Sequence, residues 1–400
     1  MKRVVDIEAP IVSGNANNEA NAGFGNVNSN NEASNTNTNI GSQLYWKIIT
    51  LSKPYLLVKN KTNQNGVGSE SKDSAKFQQM KRYGNLFQTV CSIENLTLAD
   101  KRARKGKKCK TEIQAFDSNR DELLLKLQIM LLNQTFKTSK YHVFKKVVDN
   151  GKEREIYRLP YYPDRILHHA VMNVIEPIFF KTFTTDTYSC IKGRGIHSAA
   201  EKVKYAIRQP DAEYVLKLDV KKFYPSVDHD VLKFIIRRKI KDNDLLWMLD
   251  EIIDSAKGLP IGNYLSQSFA NLFLSGFDHW IKEVQGIRHY FRYCDDMVIF
   301  HQDKTFLHAL LIEITNYLAD LKLTVKKDWR VFPAYTGVDF VGFVFYPTHT
   351  LIRKSIKKRF VKAIIKYKAV PSPDHYRSLA SYWGWLKYSN SINLIKKLRA

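Results

Sequence analysis

The chain has 400 residues, with 63 Lys+Arg against 39 Asp+Glu for a formal charge of +24, and is 44% hydrophobic and 12% aromatic. That is ample for two or three modules with a real core, and no apolar run approaches the roughly 20 residues of a membrane span, which excludes an integral helical membrane protein. The basic surplus calls for a phosphate-backbone partner, because each Lys or Arg laid on a phosphate releases condensed counterions.

The N-terminal residues have no apolar signal core, so secretion is not expected. Cys91, Cys109, Cys190 and Cys294 contain no Cys-x-x-Cys spacing. That argues against a disulfide scaffold or zinc knuckle and predicts reduced thiols in a cytoplasmic protein. Residues 14–40 are mostly Asn, Ala, Gly, Ser and Thr without periodicity, too polar to offset the entropy of ordering. An apolar patch at Leu44–Leu51 and a polar linker follow, and strong patterning begins near Met80.

The basic run Lys101–Lys110 reads either as a solvated surface or as a nucleic-acid contact, with the net charge favouring the contact. Ala115–Thr135 is predicted as one amphipathic helix with Leu124, Leu127, Met130 and Leu131 on one face. A strand over Tyr214–Val220 and a helix over Ser226–Ile240 come next, then an apolar helix over Ser266–Trp280. Tyr290–Arg292 and Met297–His301 are the arms of a hairpin around an acidic pair. Val338–Tyr346 reads as a further strand, Ile352–Lys368 as a basic helix, and Ser381-Tyr-Trp-Gly-Trp as part of a last helical segment. No internal repeat is present, which excludes a solenoid.

Three features carry chemistry. Leu216-Lys-Leu-Asp219 ends an apolar strand on a carboxylate, a costly arrangement that a metal compensates best. Tyr293-Cys-Asp295-Asp296 places two aspartates at a turn between apolar arms. Three gathered carboxylates suit phosphoryl transfer, in which two divalent cations about 3.5–4 Å apart activate a hydroxyl and stabilise departing pyrophosphate. Between them, Gly258-Leu-Pro-Ile261-Gly262 opens directly into a helix and permits close approach of a base and sugar.

The order of these elements resembles a reverse-transcriptase palm. Arg154-Glu-Ile with Pro163-Asp-Arg165 through Ala170, and Tyr188 through His197 with Arg194, resemble the two fingers motifs. Leu218-Asp219 through Val227 is similar to motif A, Gly258–Asn271 to motif B, and Tyr293-Cys-Asp295-Asp296 to the YxDD box. Lys326 and Lys327 fall at motif D, and Val338–Pro347 looks like the primer-grip hairpin. Most reverse transcriptases carry Gln-Gly-x-x-x-Ser-Pro in motif B, whereas here the run is Ile261-Gly262-Asn-Tyr-Leu-Ser266-Gln267. That departure, with Tyr346–Ser355 and Ser381-Tyr-Trp-Gly-Trp-Leu-Lys387, resembles the reverse transcriptases of diversity-generating retroelements.

The resemblance implies an α+β right-hand polymerase with fingers, a ferredoxin-like palm and a short helical thumb. Residues 1–79 would be an extension, 80–350 fingers and palm, and 351–400 a basic thumb, with too few residues after the primer grip for an RNase H domain. It implies copying of a template-repeat RNA into cDNA with misincorporation at adenines, for diversification of a target gene. The alternatives are a retron, abortive-infection or group II intron type enzyme, or a maturase that only binds RNA.

Carried over by position, Asp219, Asp295 and Asp296 are the catalytic residues. With the Val220 carbonyl they would hold two Mg²⁺ ions, for which Mn²⁺ substitutes in vitro. Arg154, Arg194, Tyr224, Ile261, Gln267 and Lys326 would contact the nucleotide, with Tyr224 as gate against a 2′-hydroxyl. Ile261 would lower fidelity by replacing a steadying amide with an apolar contact, or else simply packs. His168, His169 and His197 read as packing or capping residues. The implied partners are the template RNA, the RNA–DNA hybrid, dNTPs and a small basic accessory variability protein, without a membrane, in a bacterial, archaeal or phage setting. Asn codons are adenine-rich, and Asn21–Asn35 resembles the variable ends of lectin-like target proteins. Residues 1 to about 79 therefore read either as translated template repeat ahead of an enzyme starting near Met80, or as a flexible tail.

Overall fold

The structure is a computed structural model that describes residues 81–107, 110–148 and 151–399. The Asn-rich stretch, the apolar patch and the start near Met80 lie outside the described residues. The earliest described contacts tie Tyr83 to the far side of the sequence: its N–H donates to Lys239 O at 2.8 Å and its carbonyl accepts from Lys241 N at 2.7 Å. Asp242 then caps the first helix by accepting from the Leu86 and Phe87 N–H groups.

Helices Phe87–Cys91, Ile93–Ala103, Thr111–Asp117 and Arg120–Leu132 open the chain. The single helix expected over Ala115–Thr135 is thus two helices broken at Ser118–Asn119, although Leu124, Leu127 and Leu131 share its buried face and Met130 packs beside them. Strands β1 (His142–Val148) and β2 (Lys152–Arg158) form an antiparallel hairpin. Helix Ile166–Phe180 follows, then β3 (Thr187–Tyr188), helix Ile196–Ala206 and β4 (Tyr214–Asp219).

The helix expected from Ser226 starts at His229, because Val227 is extended and the Asp228 carboxylate caps the Val231 N–H. Asn243–Asp254 is the next helix. The apolar stretch Ser266–Trp280 is divided into helices Ser266–Phe273 and Ser275–His279. Then come β5 (His289–Tyr293), β6 (Asp296–His301), helix Lys304–Asp320 and β7 (Arg330–Pro333).

β3, β5, β6, β4 and β7 lie side by side in that order, all antiparallel except β3 against β5. The three central strands are apolar at most positions because both faces are covered. Leu216, Leu218, Tyr290, Met297 and Ile299 face one cluster, formed with the helices from Phe87 to Leu323. The alternate residues Val215, Phe291, Val298 and Phe300 face a second cluster with helix Ile196–Ala206 and the residues from Ala334 to Phe345. By the two-residue period Lys217, Asp219, Tyr293 and Asp296 belong to this second face, at the sheet's end.

Val338–Tyr346 is not one strand. β8 (Val338–Phe340) and β9 (Phe343–Phe345) pair antiparallel, with β10 (Thr350–Ile352) on the outside. The reversal needs left-handed backbone at Val341 and Gly342, and a Cβ on Gly342 would stand 2.3 Å from the Trp385 ring. Beyond it, helices Lys354–Ala369, Pro373–Ala380, Trp383–Lys387 and Ile392–Arg399 surround a separate small cluster of Ile352, Ile356, Phe360 and Leu386. Trp385 packs on Phe343, and His197 stacks on Tyr388 at 4.2 Å, so the terminal helices rest on the second face. Among the described residues no helix is long and apolar enough to cross a membrane.

Candidate active site

Asp219 and Asp296 are directly opposite each other in the register of β4 and β6. Tyr293 pairs with Asp296, leaving Cys294 and Asp295 as the two-residue turn of the β5–β6 hairpin, with Cys294 at φ 55°. All three aspartates are half-buried. Burial and then the nearby Asp219 charge raise the pKa of Asp295, against the lowering effect of Lys326 and Arg154. Burial pushes Asp296 up to about 6, opposed by Lys217 and Arg353 and reinforced by Asp219 and Asp295. Loss of solvation is the main physical sense of both shifts, with repulsion between closely set carboxylates added to it.

Two lysines answer that repulsion. Lys326 Nζ donates to Asp219 Oδ2 at 2.6 Å, and Lys217 Nζ lies 3.6 Å from Asp296 Oδ1 while also donating to the Asp339 carbonyl. Burial alone would lower the Lys326 pKa, but the Asp219 hydrogen bond and the Asp219 and Asp295 charges raise it overall. Even so, Asp219 Oδ1 and Asp296 Oδ1 are buried with no hydrogen-bond partner.

Among the described residues no three His, Cys, Asp or Glu side chains stand ready-arranged as a metal cage. The donor set nevertheless fits a hard cation: two buried carboxylate oxygens without partners belong to residues directly opposite each other on β4 and β6, next in sequence to a third carboxylate. The bridge between Val220 and Val325 uses the Asp219 carbonyl (from Lys326 N, 2.9 Å) and the Lys221 N–H (to Thr324 O, 2.8 Å). The Val220 carbonyl is therefore not spent on that ladder.

Of the nucleotide candidates, Tyr224 stands against the hairpin, its hydroxyl 3.9 Å from Cys294 Sγ. Burial raises its phenol far above the ordinary range. Its carbonyl accepts from Leu259 N at 2.8 Å, joining it to the turn before helix Ser266–Phe273. That turn is bound in turn to β2: the Tyr157 N–H donates to the Ile261 carbonyl at 2.7 Å. Gly262, at φ 113°, would bring a Cβ to 2.5 Å from the Tyr157 carbonyl, so the approach requires glycine.

Ile261 is half-buried yet belongs to none of the three apolar clusters, and Gln267 is exposed. Arg154 is exposed on β2, and its charge reaches Asp295. Arg194 is engaged locally: its guanidinium donates to the Thr184 carbonyl at 2.6 Å and lies over the Phe180 ring at 4.6 Å. His168 and His169 are buried, as packing residues would be.

Sequence reasoning missed two parts of this site. Lys217 was legible, since a cation two residues before Asp219 must share its face. Arg292, in the middle of β5, is fully buried and pairs with the equally buried Asp278 at 2.5 Å. Its Nη1 also donates to the Cys294 carbonyl at 3.0 Å and to Asn271 Oδ1 at 3.3 Å, beneath the turn that carries Asp295. An arginine inside an apolar strand signals a partner, but the strand alone does not say which.

The family profile described as "Reverse transcriptase (RNA-dependent DNA polymerase)" matches residues 143–345, just over half of the chain and the span that holds all three aspartates. Protein YkfC of Escherichia coli is 26% identical over 270 residues, 55% of this chain and 69% of that protein. The mitochondrial nuclear intron maturase 4 of Arabidopsis thaliana is 28% identical over 145 residues, 33% of this chain but 18% of the maturase. Among solved structures, an apo telomerase of Candida tropicalis truncated from its C-terminal domain is similar at 14% identity and a TM-score of 0.43, over 55% of each chain. With the extent of the profile match, the chain belongs to the reverse transcriptase (RNA-dependent DNA polymerase) family.

Proposed function

We propose that the protein copies a template-repeat RNA into cDNA with misincorporation at template adenines, serving diversification of a target gene. The observation that carries this reading is Ile261. Its backbone is fixed on β2 through Tyr157, while its side chain contributes to no apolar cluster. An aliphatic group held beside the nucleotide position, where an amide would steady the incoming base, weakens discrimination between right and wrong pairs.

In this reading residues 80–350 are fingers and palm and 351–400 the thumb. Asp219 and Asp295, with Asp296 and the Val220 carbonyl, hold the divalent cations. Bound Mg²⁺ ions supply activation of the primer 3′-hydroxyl and charge stabilisation of leaving pyrophosphate. Lys326 releases Asp219 as the site fills and turns its charge to the phosphates. Arg154 binds the triphosphate, and Arg194 joins it on leaving the Thr184 carbonyl. Tyr224 bars a ribose 2′-hydroxyl, and Gln267 flanks the nucleotide. A small basic accessory protein is the expected partner.

Primer extension on an RNA template, with Mg²⁺, all four dNTPs and sequencing of the product, tests the reading. Asp295→Asn serves as control, with the accessory protein present and absent. Errors concentrated opposite adenines support it. Accurate extension favours an intron-type enzyme, the reading that the intron maturase relative suggests. No extension under any condition favours RNA binding alone.

A further inference from the structure

Tyr264 and His169 lie far apart in sequence, yet their rings stack with centroids 3.9 Å apart and planes 19° from parallel. His169 is 7% exposed and Tyr264 44% exposed. The imidazole thus backs one face of the phenol while much of the ring remains in solvent. An aromatic ring already immobilised on its inner face loses little rotamer freedom when something flat settles on its outer one.

Several cations surround the pair, together with the Glu176 carboxylate. Arg102, exposed at the end of helix Ile93–Ala103, donates from Nη1 to Asn173 Oδ1, one turn beyond His169 on helix Ile166–Phe180. Burial first, and then the charges of Arg165, Lys107 and Arg102, hold His169 neutral by lowering its pKa to about 3. Burial and then the Glu176 charge raise the Tyr264 phenol, opposed by Arg102 and Arg165, with Cys190 a smaller raising influence. Cys190 leads back to the catalytic turn, because Ser189 Oγ is 3.6 Å from its sulfur and 2.9 Å from Cys294 Sγ. A solvent-facing ring beside arginines is the pairing that single-stranded nucleic acid recognises: bases stack on the ring while cations meet the backbone.

We propose that Tyr264, backed by His169, is a stacking site for an unpaired base of single-stranded RNA, with Arg102 and Lys107 on the adjoining phosphates. The proposal deepens the reading of the chain as an RNA copier. Its test involves no polymerisation, so the failure of one is distinguishable from the failure of the other.

The full chain is titrated, in EDTA and without dNTPs, into an unstructured oligoribonucleotide carrying 2-aminopurine at successive positions. Anisotropy reports affinity and quenching reports stacking. Tyr264→Ala is expected to abolish quenching and weaken binding about tenfold, whereas Tyr264→Phe and Tyr264→Trp retain both. The Tyr264→Ala loss should leave the salt dependence unchanged, while Arg102→Gln should reduce its slope by about one. Blunt duplex RNA should bind wild type and Tyr264→Ala alike. Unchanged quenching and affinity in Tyr264→Ala, or an equal loss on blunt duplex, would overturn the proposal. Equal thermal midpoints of Tyr264→Ala and Tyr264→Phe separate either result from misfolding.

Discussion

Asp219 and Lys326 are joined twice: Lys326 Nζ donates to Asp219 Oδ2 at 2.6 Å, and the Lys326 N–H donates to the Asp219 carbonyl at 2.9 Å. The backbone bond fixes the lysine's position and the side-chain bond occupies one carboxylate oxygen. A cation entering this site therefore competes with an ammonium group already in place.

Lys326→Met should accordingly lower the Mg²⁺ concentration needed for half-maximal nucleotide incorporation by several-fold. Turnover at saturating Mg²⁺ should fall by about 10–100-fold, because the proposed role of Lys326 directs its charge at developing phosphate charge. A Mg²⁺ titration of single-nucleotide addition reads both effects. An unchanged Mg²⁺ requirement would separate the lysine from the metal site.

Asp296 supplies a pH signature of the metal-free protein. Its folded pKa is raised to about 6, so the protonated form is favoured by folding. The stability this group contributes is fully present below the unfolded carboxylate value and disappears as pH rises through about 6. Asp296→Asn should therefore stabilise the protein in EDTA at pH 8 by on the order of 1–2 kcal/mol, and by little at pH 4.5. Buried neutral His168 and His169, with pKa values lowered to about 3, act oppositely but equally in both proteins. Denaturant midpoints of the pair at the two pH values measure the difference, and a gain independent of pH would contradict it.

Much of this arrangement is legible in the sequence because it is written in strand periodicity. Asp219 and Asp296 end two apolar strands, and the two-residue period puts Lys217 on the same side. The hairpin follows from apolar arms around Cys294-Asp295. What the sequence conceals is pairing over distance. Nothing local reveals that Arg292 meets Asp278, that Lys326 returns to Asp219, or that Tyr264 finds His169. The helix breaks at Asn119 and at Asp228 were equally hidden: hydrophobic periodicity runs through them, and capping and turn geometry decide the ends.

Ile261→Gln addresses fidelity. If the aliphatic side chain is the source of misincorporation, the amide should reduce errors opposite template adenines by about 10-fold, with errors at other bases changed less. Sequencing of cDNA from wild type and variant on one RNA template measures this. An identical error spectrum would mean that Ile261 only packs.

Gly262→Ala tests the tether between β2 and the turn. The added methyl would sit 2.5 Å from the Tyr157 carbonyl at a φ of 113°, so the turn must move away from the β1–β2 hairpin. Breaking the Tyr157–Ile261 bond displaces Ile261 and frees the hairpin that carries Arg154. Nucleotide KM should rise at least tenfold while the thermal midpoint falls only slightly, because the hairpin contributes no residue to the clusters. Limited proteolysis should show faster cleavage near residues 142–158, and wild-type kinetics would show that the tether is dispensable.

Arg292 and Asp278 separate stability from positioning. Arg292→Leu strands a fully buried carboxylate that still faces Tyr290 and Thr187, and should cost about 3–5 kcal/mol. The double variant Arg292→Met with Asp278→Leu removes both charges and should recover most of that loss. Activity should not recover with it. The Arg292 bonds to the Cys294 carbonyl and to Asn271 are the ones that fix the turn carrying Asp295, and methionine restores neither. Urea midpoints alongside single-nucleotide turnover distinguish the two roles. A double variant regaining both stability and turnover would reduce the buried pair to a packing element, whereas regained stability with turnover still depressed would establish Arg292 as a positioning residue for the hairpin that carries Asp295 and Asp296.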